Sequence, residues 1–346
     1  MFGVLTLELG EGKRNQIMKA ILWTKYGSPD VLQLGEVDNP TPKDNEILIK
    51  IHASTVTAGD CEMRRLELPL MLSFPMRLYA GFLKPKRIPI LGQELAGEVV
   101  ETGQNVTSYK VGDQVFGTTG FKFGAYAEYI CLPEKPADAQ GTLTLKPSNS
   151  TYEEATAVPT AGFEALHFLR RANIQPGKKV LIIGAGGSIG TLAIQLARYF
   201  GAEVTGVDST GKLEMVQSIG ANYVIDYTKG DYTKSGETYD LIIDVVGKRS
   251  VPRRLKLLKE DGYYFLAYAG PSHILLGRWM SMTSNKKLKI ESSSQKKEDL
   301  IFLKELIEAG KLRSVIDRSY PLEQAANAHR YAETGEKKGN VVLAVI

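Results

Sequence analysis

Between residue 19 and about residue 146, apolar and polar positions alternate in short runs: Ala20–Thr24, Val31–Glu36, Glu46–Val56, Ala96–Thr102, Asp113–Phe116 and Ala125–Leu132. Gly, Pro and Asp punctuate them. A period of two sends one face of each run to a core and the other to water, so the pattern predicts strands of a partly closed, β-barrel-like unit. Pro136–Pro147 reads as a turn-rich connector, and Tyr152–Ala172 has helical spacing. From Lys179 the pattern changes. Strand-like runs at Lys179–Ile183, Glu203–Val207, Tyr223–Asp226 and Leu241–Val246 are separated by helical stretches at Thr191–Phe200 and at about Lys212–Ile219. A further helical stretch at about Ser250–Leu258 leads to a fifth strand, Gly262–Ala269. Alternating β and α elements of this length predict a parallel, doubly wound α/β sheet. After an irregular segment come a helix at about Lys297–Ala309, the stretch Leu322–Ala332 and a terminal β-run, Val341–Ile346, which needs a sheet to join.

The first strand of the α/β region empties into Gly184-Ala185-Gly186-Gly187-Ser188-Ile189-Gly190. Glycines there let a pyrophosphate approach the backbone, while the N–H groups and dipole of the next helix neutralise its charge. The spacing departs from G-x-G-x-x-G, but the strand, turn and helix around it are those a dinucleotide site requires. The expected organisation is an extension over residues 1–17, a β-rich unit over 18–146 completed by about 311–346, and a dinucleotide-binding unit over 147–310.

With 346 residues and 43% hydrophobic positions the chain can bury two cores. A net charge of +4, dispersed along the chain, argues against nucleic acid as a partner. Only Cys61 and Cys131 are present, which excludes a disulfide framework and makes a reducing, cytoplasmic setting the expectation. No run is long enough to span a bilayer. Asp60 precedes a short helical run, Cys61–Leu66, and reads as its N-cap.

Four local motifs accompany this order: Gly92-Gln93-Glu94-Leu95-Ala96-Gly97, Tyr109-Lys110-Val111-Gly112-Asp113, Gly124-Ala125-Tyr126-Ala127-Glu128-Tyr129 and Val158-Pro159-Thr160-Ala161-Gly162. From about Met18 to Ile346 the chain resembles the medium-chain dehydrogenase/reductase superfamily, and within it the zinc-independent, quinone-oxidoreductase-like branch. The resemblance implies a GroES-like catalytic domain beside a Rossmann-type sheet, and a homodimer, with strands near Gly262–Ala269 as the expected contact. In zinc-holding relatives of this superfamily the metal takes a Cys, a His and a Cys; the matching positions here are Thr57, Gln93 and Thr160, none of them a thiolate or an imidazole. The resemblance therefore implies no zinc.

Asp208, at the end of the second α/β strand, is placed to accept from an adenosine ribose and favours NAD. Ser209, Thr210 and Lys212 favour a 2′-phosphate instead, and the resemblance pairs Lys212 with Tyr227 around that phosphate. NADPH is the expected cofactor, with NAD as the alternative. Val246, Gly247, Ala269 and Gly270, at strand ends, are expected along the ribose and nicotinamide, with Thr160 at the junction. Thr57, Gln93 and Tyr126 are the candidates to hydrogen-bond a substrate carbonyl. Without a Lewis acid the expected acceptor is a small hydrophobic quinone or α,β-unsaturated carbonyl, whose negative charge delocalises after hydride addition. An alcohol or aldehyde dehydrogenase and a non-catalytic nucleotide-binding protein are the competing readings. Leu66–Ile90, rich in Leu and Met and ending in the basic Lys84–Arg87, is expected to cover the nicotinamide cleft; a packing extension or peripheral membrane contact are its alternatives.

Overall fold

The computed structural model describes residues 17–66, 70–136, 140–247, 251–267 and 284–345. The alternating N-terminal runs form β1 (Ile17–Trp23), β2 (Leu32–Asp38) and β3 (Glu46–Thr55), then α1 (Ala58–Arg65) and α2 (Leu70–Ala80), then β4 (Glu94–Thr102), β5 (Gln114–Thr118), β6 (Tyr129–Pro133) and β7 (Thr142–Leu145). β7 lies inside the stretch expected to be a connector, where Thr142-Leu143-Thr144-Leu145 alternates and pairs with β5. Pro159 splits the expected single helix into α3 (Tyr152–Thr156) and α4 (Pro159–Arg171), because proline has no N–H to continue a helix but fits its first turn.

The α/β region runs β8 (Lys179–Ile183), α5 (Ser188–Tyr199), β9 (Glu203–Asp208), α6 (Leu213–Ser218), β10 (Tyr223–Asp226), β11 (Tyr239–Asp244), α7 (Val251–Arg254), β12 (Leu258–Leu266) and β13 (Lys287–Lys289). Its six strands are all parallel, in the order β10-β9-β8-β11-β12-β13. The order reverses between β8 and β11, and a crevice opens at such a point beyond the C-terminal strand ends. Among the described residues β12 lies between β11 and β13, pairing with β13 at Tyr263–Phe265. The chain ends with α8 (Lys297–Glu308), β14 (Ile316–Pro321), α9 (Ala325–Ala332) and β15 (Asn340–Ala344). β15 pairs with β3 on one side and β14 on the other, within a seven-stranded sheet.

Packing follows the apolar stripes. Leu192, Ala193, Leu196 and Ala197 of α5 and Ala165, Phe168 and Leu169 of α4 bury one face of the parallel sheet. A small cluster sets Ala96 and Phe116 of β4 and β5 against Ala155 of α3, Phe163 of α4 and Leu300 from the helix at Lys297–Glu308. In the segment expected to be a cover, Met76 packs on the core that holds Trp23 and Leu91, while Phe74, Leu78, Tyr79, Phe82 and Leu83 are exposed. Among the described residues no helix is long and apolar enough to cross a membrane.

Candidate active site

Three glycines of the turn after β8 are required for three different reasons. Gly184 has φ +84°, and a Cβ there would meet Val245 Cγ2 at 2.6 Å. At Gly190 a Cβ would stand 2.3 Å from the Gly184 carbonyl oxygen, so its absence lets α5 close on β8. Gly187, the residue before α5, would meet only that same oxygen, at 3.4 Å. Its open side faces a cavity of about 390 Å³ rather than protein. No side chain caps α5, which leaves its N-terminal N–H groups to a ligand. An open cradle at a bare helix start fits a dinucleotide pyrophosphate. Ala185 and Ile189 serve the turn differently: Ala185 is fully buried and Ile189 packs against the same core, so neither side chain belongs to the cradle.

The cavity runs from this turn to the ends of β9, β10 and β11, with Asp208, Lys212, Tyr227 and Val246 on its wall. Asp208 is buried; its Oδ2 accepts from Gly186 N at 2.8 Å and its Oδ1 from Ser209 N at 2.8 Å. Both carboxylate oxygens are thus turned to backbone. Lys212 stands 3.7 Å from Asp208 and donates to the Gly335 carbonyl at 2.7 Å. The hydroxyl of Ser209 lies 3.4 Å from Asp208 Oδ1. That of Thr210 is spent on Asp226. Val246 and Gly247 donate their N–H groups to Asp244 Oδ1 at 3.1 and 3.0 Å, which fixes the turn after β11. Ala269 and Gly270 lie outside the described residues.

The substrate-side candidates separate. Thr57, not Asp60, caps α1: its hydroxyl accepts from Asp60 N at 3.0 Å and donates to Asp60 Oδ2 at 2.6 Å. Asp60 sits three residues on, reaches back to Thr57 N, and also accepts from Gly92 N at 3.1 Å. Gln93 Oε1 is 3.5 Å from the Thr57 hydroxyl, so these two part-buried groups stand together. Thr160 is joined to them through Glu94, which accepts from Thr160 N at 2.7 Å and from the Thr55 hydroxyl. Tyr126 does not belong with them. It is fully buried, with its hydroxyl on the Thr55 carbonyl at 3.1 Å and on His329 Nε2 at 3.1 Å, and His329 Nδ1 lies 3.4 Å from Cys61 Sγ. One imidazole tautomer satisfies all three contacts, and Tyr126 is a core hydrogen-bonding residue rather than a carbonyl donor.

Sequence reasoning missed Glu94, Asp244, Arg254 and Lys337. Glu94 carried a signal, since an acid inside an apolar strand motif must be paired or protonated. Lys337 carried none, because it reaches the glycine turn from the far end of the chain. Among the described residues no group of three or more His, Cys, Asp or Glu is placed to hold a metal ion.

Burial pushes the carboxyl groups of Asp60 and Glu94 up, to about 6 and about 7. Burial pushes His329 down, to about 3. For the two acids the folded value exceeds the unfolded one, so the stability they contribute is complete below about pH 4 and is lost as pH rises through 6 and 7. His329 acts oppositely: its contribution is complete above about pH 6.5 and is lost as pH falls towards 3. We therefore expect Glu94→Gln to match wild type near pH 4.5 and to exceed it by roughly 1–3 kcal/mol at pH 8. Urea midpoints at the two pH values measure this, and a parallel pair of pH profiles would rule it out.

Two families match the chain. Residues 43–138 match the one described as alcohol dehydrogenase GroES-like domain, and residues 219–343 the one described as zinc-binding dehydrogenase. The chain is 34% identical over 338 residues to the 2-methylene-furan-3-one reductase of Solanum lycopersicum, covering 94% of this chain and 79% of that one. It is 31% identical over 341 residues to the chloroplastic NADPH-dependent alkenal/one oxidoreductase of Arabidopsis thaliana, again covering 94% and 79%. The solved quinone oxidoreductase of Coxiella burnetii superposes with a TM-score of 0.85 at 29% identity, over 96% of this chain and all of that one. With these sheets, this strand order and this glycine turn, the chain belongs to the quinone-oxidoreductase-like branch of the medium-chain dehydrogenase/reductase superfamily of nicotinamide-dependent oxidoreductases.

Proposed function

We propose that the protein is an NADPH-dependent reductase of quinones or α,β-unsaturated carbonyls that works without zinc. Support for NADPH rests on one observation above all: both oxygens of Asp208 are held by Gly186 N and Ser209 N, beside the ammonium of Lys212. A carboxylate so engaged is not offered to a ribose 2′-hydroxyl, while a buried lysine next to it suits a 2′-phosphate. The relative in Arabidopsis thaliana is named for NADPH and for alkenals and alkenones, in agreement. We expect NADPH to bind more tightly than NADH, and Lys212→Ala to remove the preference by about 1.5–3 kcal/mol, the worth of a charged hydrogen bond. Fluorescence titrations with both nucleotides measure it. Equal wild-type affinities would sink the assignment.

When bound, the nicotinamide supplies a hydride. Around the substrate, Gln93 is the group left to orient a carbonyl oxygen, through its amide N–H, since the Thr57 hydroxyl donates to Asp60, Thr160 and Glu94 satisfy one another and Tyr126 is enclosed. Neutral donors stabilise a delocalised enolate or hydroquinone anion better than they would a localised alkoxide, which is why conjugated acceptors fit this site. Positioning then supplies much of the acceleration. NADPH oxidation against a panel of quinones, enones and simple aldehydes tests the substrate class: turnover of simple aldehydes alone would favour an alcohol dehydrogenase, and binding without turnover a non-catalytic protein. We also read the chain as two units, 18–146 with 311–346 and 147–310, the cofactor lying chiefly on the second. The apolar segment before Gly92 is our choice for the wall that selects hydrophobic acceptors, although none of its described residues lines the nucleotide cavity.

A further inference from the structure

Lys337 comes from the turn between α9 and β15, and that turn lies across the glycine loop. Gly339 N donates to the Gly186 carbonyl at 2.8 Å, and the Ser188 hydroxyl donates to the Gly339 carbonyl at 3.0 Å. Lys337 Nζ donates to Ser188 Oγ at 2.8 Å and to the Gly339 carbonyl at 2.6 Å, on the wall of the cavity that Gly187 opens into. Two of the three ammonium donors are therefore used, both on neutral oxygens. Among the described residues no carboxylate makes an ion pair with it.

The charged and titratable groups that bear on Lys337 are Lys212, Cys61, Glu94 and Asp317. Lys212 repels it. Asp317 is engaged elsewhere, accepting from the Tyr331 hydroxyl at 2.6 Å and from Lys338 N at 3.2 Å. Glu94 is held by Thr160 and Thr55, and burial pushes the Cys61 thiol up to about 12. Enclosure and the neighbouring Lys212 hold the Lys337 ammonium down, at about 8. A half-buried cation beside a second cation, with only neutral partners, gains from an anion that completes the site.

We propose that Lys337 is a ligand of the dinucleotide pyrophosphate, its third N–H closing the anion site begun by the glycine turn and the start of α5. The pyrophosphate is favoured over the 2′-phosphate because Lys337 is bonded to Ser188, the first residue of α5, whereas Lys212 stands at the end of β9 beside Asp208. Binding of that anion stabilises the charged lysine, so the protein takes up a proton as the nucleotide enters. This holds only if the cavity binds a dinucleotide at all.

Calorimetric titration of the full chain with NADPH and with NADH, in buffers of different ionisation enthalpy, tests it. A group titrating at about 8 gives an uptake of about half a proton per nucleotide at pH 8, close to none at pH 6.5 and most of a proton at pH 9. Lys337→Met should weaken NADPH and NADH by the same factor, about 10–100-fold, and abolish the uptake. Lys337→Arg should keep most of the affinity with no uptake, since a guanidinium is always charged. Lys212→Ala should weaken NADPH alone. If Lys337→Met lowers thermal stability but leaves both affinities and the proton uptake intact, the lysine is only a strap between two turns and the proposal fails. It also fails if that variant weakens NADPH but not NADH. A wild-type chain that binds neither nucleotide overturns the dinucleotide reading itself.

Discussion

Replacing Asp244 with alanine should cost about 3–5 kcal/mol of folding stability, the toll of leaving one half of a buried ion pair alone. Asp244 ends β11 with no exposed surface, and its Oδ2 receives both the Arg254 guanidinium and the Tyr264 hydroxyl, the latter at 2.6 Å. Its Oδ1 receives Val246 N and Gly247 N. Alanine would strand Arg254, itself 3% exposed, together with a phenol and two backbone donors. Nucleotide affinity should fall as well, because Arg254 and Val246 both line the cavity. Asp244→Asn keeps an acceptor but loses the charge, so it should fall between alanine and wild type and remain folded if alanine does not. Urea unfolding, with the slope checked for constancy, reads the first effect and fluorescence titration the second. A loss below about 1 kcal/mol with unchanged affinity would mean that solvent reaches Arg254 and that the network is not closed.

Gly190→Ala should destabilise the fold by about 1–3 kcal/mol and weaken nucleotide binding by at least about 10-fold. The added methyl would stand 2.3 Å from the Gly184 carbonyl oxygen and 2.7 Å from Ala185 backbone atoms, none of which can swing aside as a side chain does. Helix α5 must therefore draw back from β8. Gly187→Ala provides the contrast, since its methyl meets protein only at 3.4 Å. That variant should keep wild-type stability and still bind nucleotide poorly, because the methyl fills the cradle. Melting temperatures and nucleotide affinities of the two variants separate the effects. Equal behaviour of the pair would refute the division of labour between the glycines.

Most of the architecture was legible because periodicity is a local property. The β8 to β11 alternation, the apolar stripe of α5 and the terminal strand all declare themselves within ten residues or so. What stayed hidden depends on partners distant in sequence. Tyr126 read as an available donor, yet its hydroxyl donates to the Thr55 carbonyl, 71 residues away. Thr210 read as a phosphate contact, yet it is turned to Asp226 on the adjoining strand. Asp208 was half legible: its place at a strand end follows from the pattern, but the direction of its carboxylate is set by where Gly186 N lies in space. Asp60 was misplaced by three residues because Thr57 and Asp60 form a reciprocal cap, and the hydroxyl rather than the acid comes first.

The order in which the chain is synthesised gives the position of β15 a further consequence. The six parallel strands occupy one continuous stretch, residues 179–289, and can assemble as soon as that stretch has left the ribosome. The older, N-terminal sheet cannot. β3 emerges early but waits for Asn340–Ala344 to cover the end of it that carries Ala53, Ser54 and Thr55. Leu322, Ala325, Val341 and Leu343, which complete the core around Trp23 and Leu91, arrive equally late. During translation the nascent protein therefore carries a finished nucleotide sheet beside an unfinished one with an open edge, a state in which strand addition from a neighbouring chain is the competing reaction. Emergence of Asn340–Ala344 is the event that seals the first sheet and sets Lys337 against the glycine turn.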